Sequence, residues 1–171
     1  MKLVVVAVLC TLVLGLGSCA TSFPKQKNSE DCLVLIRTVV SDINNNRPDY
    51  RRYMFYLSDR RSYVEVDNRK TTFLPIVIRK AGVILTRLHS EVQTNSGFVG
   101  PATDWDTDFD LPYKAGKVVI ASFAFVKAVK PDPNRPNSFI SYNDFKKLSP
   151  EEVATLQEEA SDLKALDSWE F

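Results

Sequence analysis

Four aspartates stand at every second position of Asp104-Trp105-Asp106-Thr107-Asp108-Phe109-Asp110, the densest set of chemically capable side chains in the sequence. On an extended backbone alternate residues project to one face, so four carboxylates would line up as oxygen ligands of the kind Ca²⁺ prefers. The same spacing has a second reading. It fits a solvated strand edge whose charges block pairing with another sheet, while Trp105, Thr107 and Phe109 pack inward. The edge is the stronger reading, and a cation site at Asp104, Asp106, Asp108 and Asp110 is the alternative. Catalysis has less to draw on. His89 is the only histidine, which excludes a multi-histidine metal site within one chain and leaves any Ser-His-acid triad dependent on it. It alternates with Arg87 and Glu91, which points to the surface. Cys32 opens the apolar run Leu33 to Val40 and reads as a small core residue, not as an exposed thiolate able to pair with His89. There is no glycine-rich phosphate loop and no Gly-x-Ser-x-Gly elbow. A non-catalytic protein is therefore expected, with a hydrolase using Cys32 or His89 as a third reading.

The aspartate run starts like an EF-hand loop, but Phe109 takes the sixth position, where glycine is required, and Ala115 the twelfth, where glutamate is expected. That loop type is excluded. The N-terminus carries a different kind of chemistry. One basic residue, Lys2, precedes the apolar run Leu3 to Leu14, and small residues follow. This order reads as a signal peptide, and the run is too short for a permanent membrane span. Leu16-Gly17-Ser18-Cys19 resembles the lipobox of bacterial lipoprotein precursors. That resemblance implies a diacylglycerol and a fatty acid on Cys19 and a cut before it; apart from these lipids no cofactor is expected. Residues 1–18 would be the signal and 19–31 a flexible lipidated tether. Ala20, in place of aspartate after the cysteine, leans towards the outer membrane. The alternative is an ordinary cut after Ala20 that releases a soluble secreted or periplasmic protein.

Removing the signal takes away Lys2 and no acid, so the formal charge falls from +1 to zero. A neutral chain argues against general nucleic-acid binding and leaves the membrane, envelope proteins or glycans as partners. Basic pairs cluster early, at Arg51-Arg52, Arg60-Arg61, Arg69-Lys70 and Arg79-Lys80. They read as loop charges before they read as a patch for anionic headgroups. Once Cys10 leaves with the signal and Cys19 carries lipid, Cys32 is the last thiol and no internal disulfide can form.

Residues 32–171 have the size of one domain. Short runs rich in β-branched and aromatic residues recur between turn signals: Cys32 to Val40, Tyr53 to Leu57, Tyr63 to Val66, Thr72 to Arg79, Val83 to Val92, Lys117 to Val129 and Ser138 to Tyr142. Pro75 marks its strand as an edge or a bulge. Lys80-Ala81-Gly82 reads as a tight turn, Asn95 to Asp110 as a loop-rich insertion, and Lys117 to Val129 as a central buried strand. Ser149, Pro150 and Glu152 form a capping box, and Val153, Leu156, Ala160 and Leu163 continue at helical spacing, which predicts a helix over 149–164. Trp169 and Phe171 are expected to pack back as a latch. These elements predict a mostly β fold, an antiparallel β-sandwich of immunoglobulin or prealbumin type with one C-terminal α-helix.

Two segments carry a further resemblance. Phe73-Leu-Pro-Ile-Val-Ile-Arg-Lys-Ala-Gly82-Val-Ile-Leu-Thr-Arg-Leu88 and Tyr113-Lys-Ala-Gly116-Lys-Val-Val-Ile-Ala-Ser-Phe123 look like small envelope-protein sandwich domains, whose activity is largely unassigned. The chain departs from them at Ala81, usually proline there, and at Val83 or Ile84, often tyrosine. The resemblance implies the fold and no activity.

Overall fold

The computed structural model describes residues 23–42, 51–59, 61–64, 72–94, 97–98, 103–134 and 139–171. The expected signal, Cys19, Arg60, Arg69-Lys70 and the loop Asn44 to Asp49 lie outside them. The run that begins at Cys32 is strand β1 (Cys32–Asp42). It pairs antiparallel with β4 (Thr72–Ile78) on one side and parallel with β8 (Val118–Pro131) on the other. β9 (Phe139–Lys147) then pairs antiparallel with β8, giving the order β4-β1-β8-β9. A second sheet runs β3 (Arg61–Val64), β2 (Arg51–Leu57), β5 (Ile84–Thr94). The free side of β5 takes β7 (Thr103–Asp110) along Ile84 to Ser90 and the two-residue β6 (Gly97–Phe98) at its end.

The sheets pack face to face through alternate residues. Val34, Ile36, Leu74, Ile76, Phe123 and Phe125 meet Tyr53, Phe55, Leu57, Leu85 and Leu88 in one apolar core. The Tyr53 and Phe55 rings lie edge-on to Phe125, with centroids at 5.1 and 6.3 Å. Each such ring contributes about 1.5–3 kcal/mol through burial. Toward Asp42 the inward positions turn polar, and Thr38, Ser90 and Lys127 are buried there, none without a partner. Lys127 is a core residue that its charge conceals in the sequence.

The outer face of the first sheet is covered as well. Leu33, Leu35, Phe73, Val118 and Ile120 pack under helix α1 (Pro150–Ser161), a 3-10 turn (Lys164–Leu166) and Trp169. The capping box forms as expected: Glu152 N–H donates to Ser149 Oγ at 3.2 Å, and Ser149 N–H donates to Glu152 Oε2 at 2.8 Å. α1 ends three residues earlier than the periodicity predicts. The tighter 3-10 turn that follows brings Leu166 and Trp169 onto the sheet, while Phe171 stays exposed.

The result is a β-sandwich, not a closed barrel, with a single α-helix among the described residues. Pro75 lies on an edge strand, where a missing N–H costs no ladder bond, and β8 is interior. Four details differ from the sequence reading. The β1–β8 pair is parallel, which the long connection through the second sheet permits. The turn at Lys80-Ala81-Gly82 makes no hairpin but carries the chain from one sheet to the other, with Gly82 at φ 74°. Residues 103–110 of the expected insertion form a strand.

The fourth difference is at the expected tether. Residues 23–31 are held on the body: Phe23 packs against the Trp169 cluster, and Trp169 Nε1 donates to the Pro24 carbonyl at 2.7 Å. Asp31 is buried. Its Oδ2 accepts from Lys27 N and Asn28 N at 2.9 and 3.0 Å, and its Oδ1 accepts from Arg79 Nε at 2.8 Å. The Arg79 guanidinium, opposed by burial and helped by those N–H groups, brings the Asp31 carboxyl down to about 2. A lowered folded pKa stabilises the protein above the unfolded value, and that stability is lost as pH falls through the folded one. Asp31→Asn is expected to lower unfolding stability at pH 7 by about 1–2 kcal/mol, since exposed Arg79 is screened by water. In urea titrations the difference from the native chain should shrink as pH drops from about 4 towards 2. Equal stabilities at pH 7 would contradict the clasp.

Candidate functional site

β7 is an edge strand, and its pleat sorts the aspartate run. Asp104, Asp106, Asp108 and Asp110 are exposed, whereas Trp105, Thr107 and Phe109 are half-buried and turned to the core. Phe109 stacks on Phe123 at 4.4 Å and lies 5.1 Å from Phe145. Thr107 Oγ1 donates to the Leu85 carbonyl at 2.7 Å. The geometry is that of a charged edge guarding a sheet.

Register then sets what the carboxylates meet. Asp104 lies opposite His89, and Asp106 opposite Arg87. His89 Nδ1 stands 2.9 Å from Asp104 Oδ1, and Arg87 Nε is 3.8 Å from the same oxygen. The Arg87 guanidinium also covers the Tyr56 ring at 3.9 Å. His89 therefore sits on the outer face of the sheet, as expected, but its side chain is only 16% exposed. Neighbouring carboxylates on one strand face are roughly 6.5–7 Å apart at their bases, so a single ion does not draw them together readily. Among the described residues no group of three or more His, Cys, Asp or Glu side chains is placed to hold a metal ion.

Cys32 is fully buried on the inner face of the first sheet, and His89 is on the outer face of the second, so the two are not brought together. Cys32 Sγ accepts from Lys114 N at 3.3 Å and donates to the Pro112 carbonyl at 3.8 Å. Burial pushes the thiol pKa up, and the Lys114 N–H only partly offsets this. Among the described residues the basic pairs are divided between the two ends of the sandwich. Arg51-Arg52 open β2 opposite Val92 and Glu91, at the other end of the sandwich from Arg61 and Arg79-Lys80, and Arg79 is engaged by Asp31.

Two concavities escaped the sequence reading because each is built from strands distant in sequence. One, of about 380 Å³, lies between α1 and the outer face of the first sheet, over Val39, Ala124, Leu148 and Leu156. Both of its cations are internally matched: Arg37 pairs with Glu159 at 2.7 Å and Lys146 with Glu152 at 2.6 Å. The other, of about 240 Å³, opens at the seam where edge strands β7 and β9 of the two sheets face each other. Trp105, Phe109 and Phe145 form its walls, and Asp106, Asn143 and Asp144 its polar lining. Asn143 is fixed there by the Tyr53 hydroxyl, which donates to its Oδ1 at 3.0 Å. The only signal in the sequence was alternating aromatics at 105 and 109. Compared with family models, with curated proteins and with solved structures, the chain matches none.

Two outcomes follow from this geometry. A thiol reagent at pH 8, read by peptide mass, should label Cys32 at least about 100-fold more slowly in the folded protein than in urea; equal rates would place the thiol at the surface. Replacing the edge charges by Asp108→Val with Asp110→Val should raise aggregation, measured by light scattering at matched concentration, because an uncharged edge is a template for strand pairing. Unaltered scattering would remove the guarding role.

Proposed function

We propose that this chain is a lipid-anchored protein of the bacterial cell envelope, a non-catalytic binding or structural module held at the membrane by a diacylglycerol and a fatty acid on Cys19. The observation that carries the reading is Leu16-Gly17-Ser18-Cys19 at the end of a short apolar run, placed just ahead of the packed body. Packing in the described residues starts at Phe23, four residues after Cys19. From Cys19 to Phe23 an extended chain reaches at most about 14 Å. The anchored domain would therefore ride close to the bilayer and not on a long stalk. More than one acyl chain gives stable anchoring without a spanning helix, and no described helix is long and apolar enough to cross a membrane. The outer membrane is the favoured address because Ala20 follows the cysteine.

Metabolic labelling with a palmitate analogue tests this directly. The native chain should take up label and sediment with membranes, and Cys19→Ser should lose the label and accumulate as uncut precursor. Recovery of unlabelled protein, cut after Ala20, from the soluble fraction would replace the anchor by simple secretion.

A further inference from the structure

We propose that the side chains of Lys127 and Asn143 react with each other and join β8 to β9 by an amide bond. The two residues stand directly opposite in the register of the β8–β9 pair. Opposed residues share one face of a sheet, with Cβ atoms about 4.5–5.5 Å apart, a gap that the four-carbon stem of lysine spans. That face is the inner one. Two residues earlier along β8 it carries Phe125 opposite Phe145, whose rings lie 5.5 Å apart in the core. Lys127 is 2% exposed and Asn143 is half-buried.

The carboxamide is already polarised. The Tyr53 hydroxyl donates to Asn143 Oδ1 at 3.0 Å, so it draws electron density from Cγ and remains in place as that oxygen gains charge in a tetrahedral intermediate. The Tyr53 ring lies edge-on to Phe125 at 5.1 Å, which fixes the hydroxyl. Lysine amines become effective nucleophiles when desolvated, and Lys127 is enclosed at the polar end of the core with Thr38 and Ser90. In the reaction Lys127 Nζ bonds to Asn143 Cγ, the Cγ–Nδ2 bond breaks, and Nδ2 leaves as ammonia with a proton from Nζ. Atoms and charge balance without an oxidant, a reductant or an added reactant. Partners held in orientation reach effective molarities of about 10⁵–10⁸ M.

Among the described residues Lys127 is the one buried lysine, and its register partner on β9 is a carboxamide. The bond would pin an edge strand to an interior one. β9 pairs with β8 alone, so the amide would close the hairpin covalently and restrict the unfolded chain, as a disulfide does. None of this involves Cys19, and the amide and the anchor are scored by different products of the same protein.

The test is peptide mass on the full native chain, denatured before digestion. Trypsin should fail to cut after Lys127; because Lys130 and Arg135 precede prolines, one fragment should run from Val118 to Lys146, lighter than its sequence by one ammonia. A protease that cuts before Asp132 should leave the fragments on either side joined. Lys127→Arg and Asn143→Ala should each separate them, and Tyr53→Phe should slow the joining about 100-fold in pulse-labelled protein. Fragments that separate in the native chain would overturn the proposal. So would an ammonia loss that survives Lys127→Arg, since that marks a succinimide at Asn143 and not an amide between strands.

Discussion

The parallel contact between β1 and β8 is the constraint on which the rest of the molecule depends. Two strands paired this way cannot be joined by a turn, so the chain must build something large between them. It builds the entire second sheet, which then has to fold back over the inner face of the first. Both strands gain a neighbour on each side and cover on each face from Leu33 to Ile36 and from Val118 to Ala121. Without the helix and the tail, the apolar outer surface formed by Leu33, Leu35, Val118 and Ile120 would face water.

The first and last described segments meet on that outer face. Glu170 lies beside Lys117 in a short parallel bridge, its carbonyl accepts from Val118 N at 2.7 Å, and its carboxylate pairs with Lys117 Nζ at 2.8 Å. Trp169 reaches the backbone of Pro24, and Asp31 ties the same N-terminal segment to Arg79 at the crossover between sheets. Gly116, at φ 74°, lets its N–H reach the Asp31 carbonyl at 2.9 Å, which closes the turn before β8 over that segment. In the proposed anchored form this clasp would pass a pull on the lipid into the first sheet.

The second sheet is used differently. Among the described residues only its inner face is covered, and one of its two edges is β7, where alternation gives one strand two jobs. Its odd-numbered residues Trp105, Thr107 and Phe109 close the core and wall the seam, while its even-numbered aspartates keep the edge hydrated. The carboxylates are not equivalent once register is set. Asp104 is drawn to His89 and Arg87, whereas Asp106 has no such partner among the described residues.

Much of this was determined by local sequence. The alternation in Val118 to Lys127, the unbroken apolar run after Cys32, the prolyl edge strand and the Ser149-Pro150-Glu152 cap each depend on residues within a few positions of one another, and each formed where its chemistry dictated. The inward and outward sorting of residues 104–110 also follows from a period of two alone, as does the burial of Cys32 from its apolar run. What only the tertiary structure decided is which strands become neighbours. That choice turned the turn at Gly82 into a crossover, made β1 and β8 parallel, docked residues 23–31 through Asp31 and Trp169, buried Lys127, and joined Trp105 and Phe109 to Phe145 in one cleft. Pairing and register are set by the summed burial of whole faces and by loop closure over tens of residues, and no short stretch of sequence carries that sum.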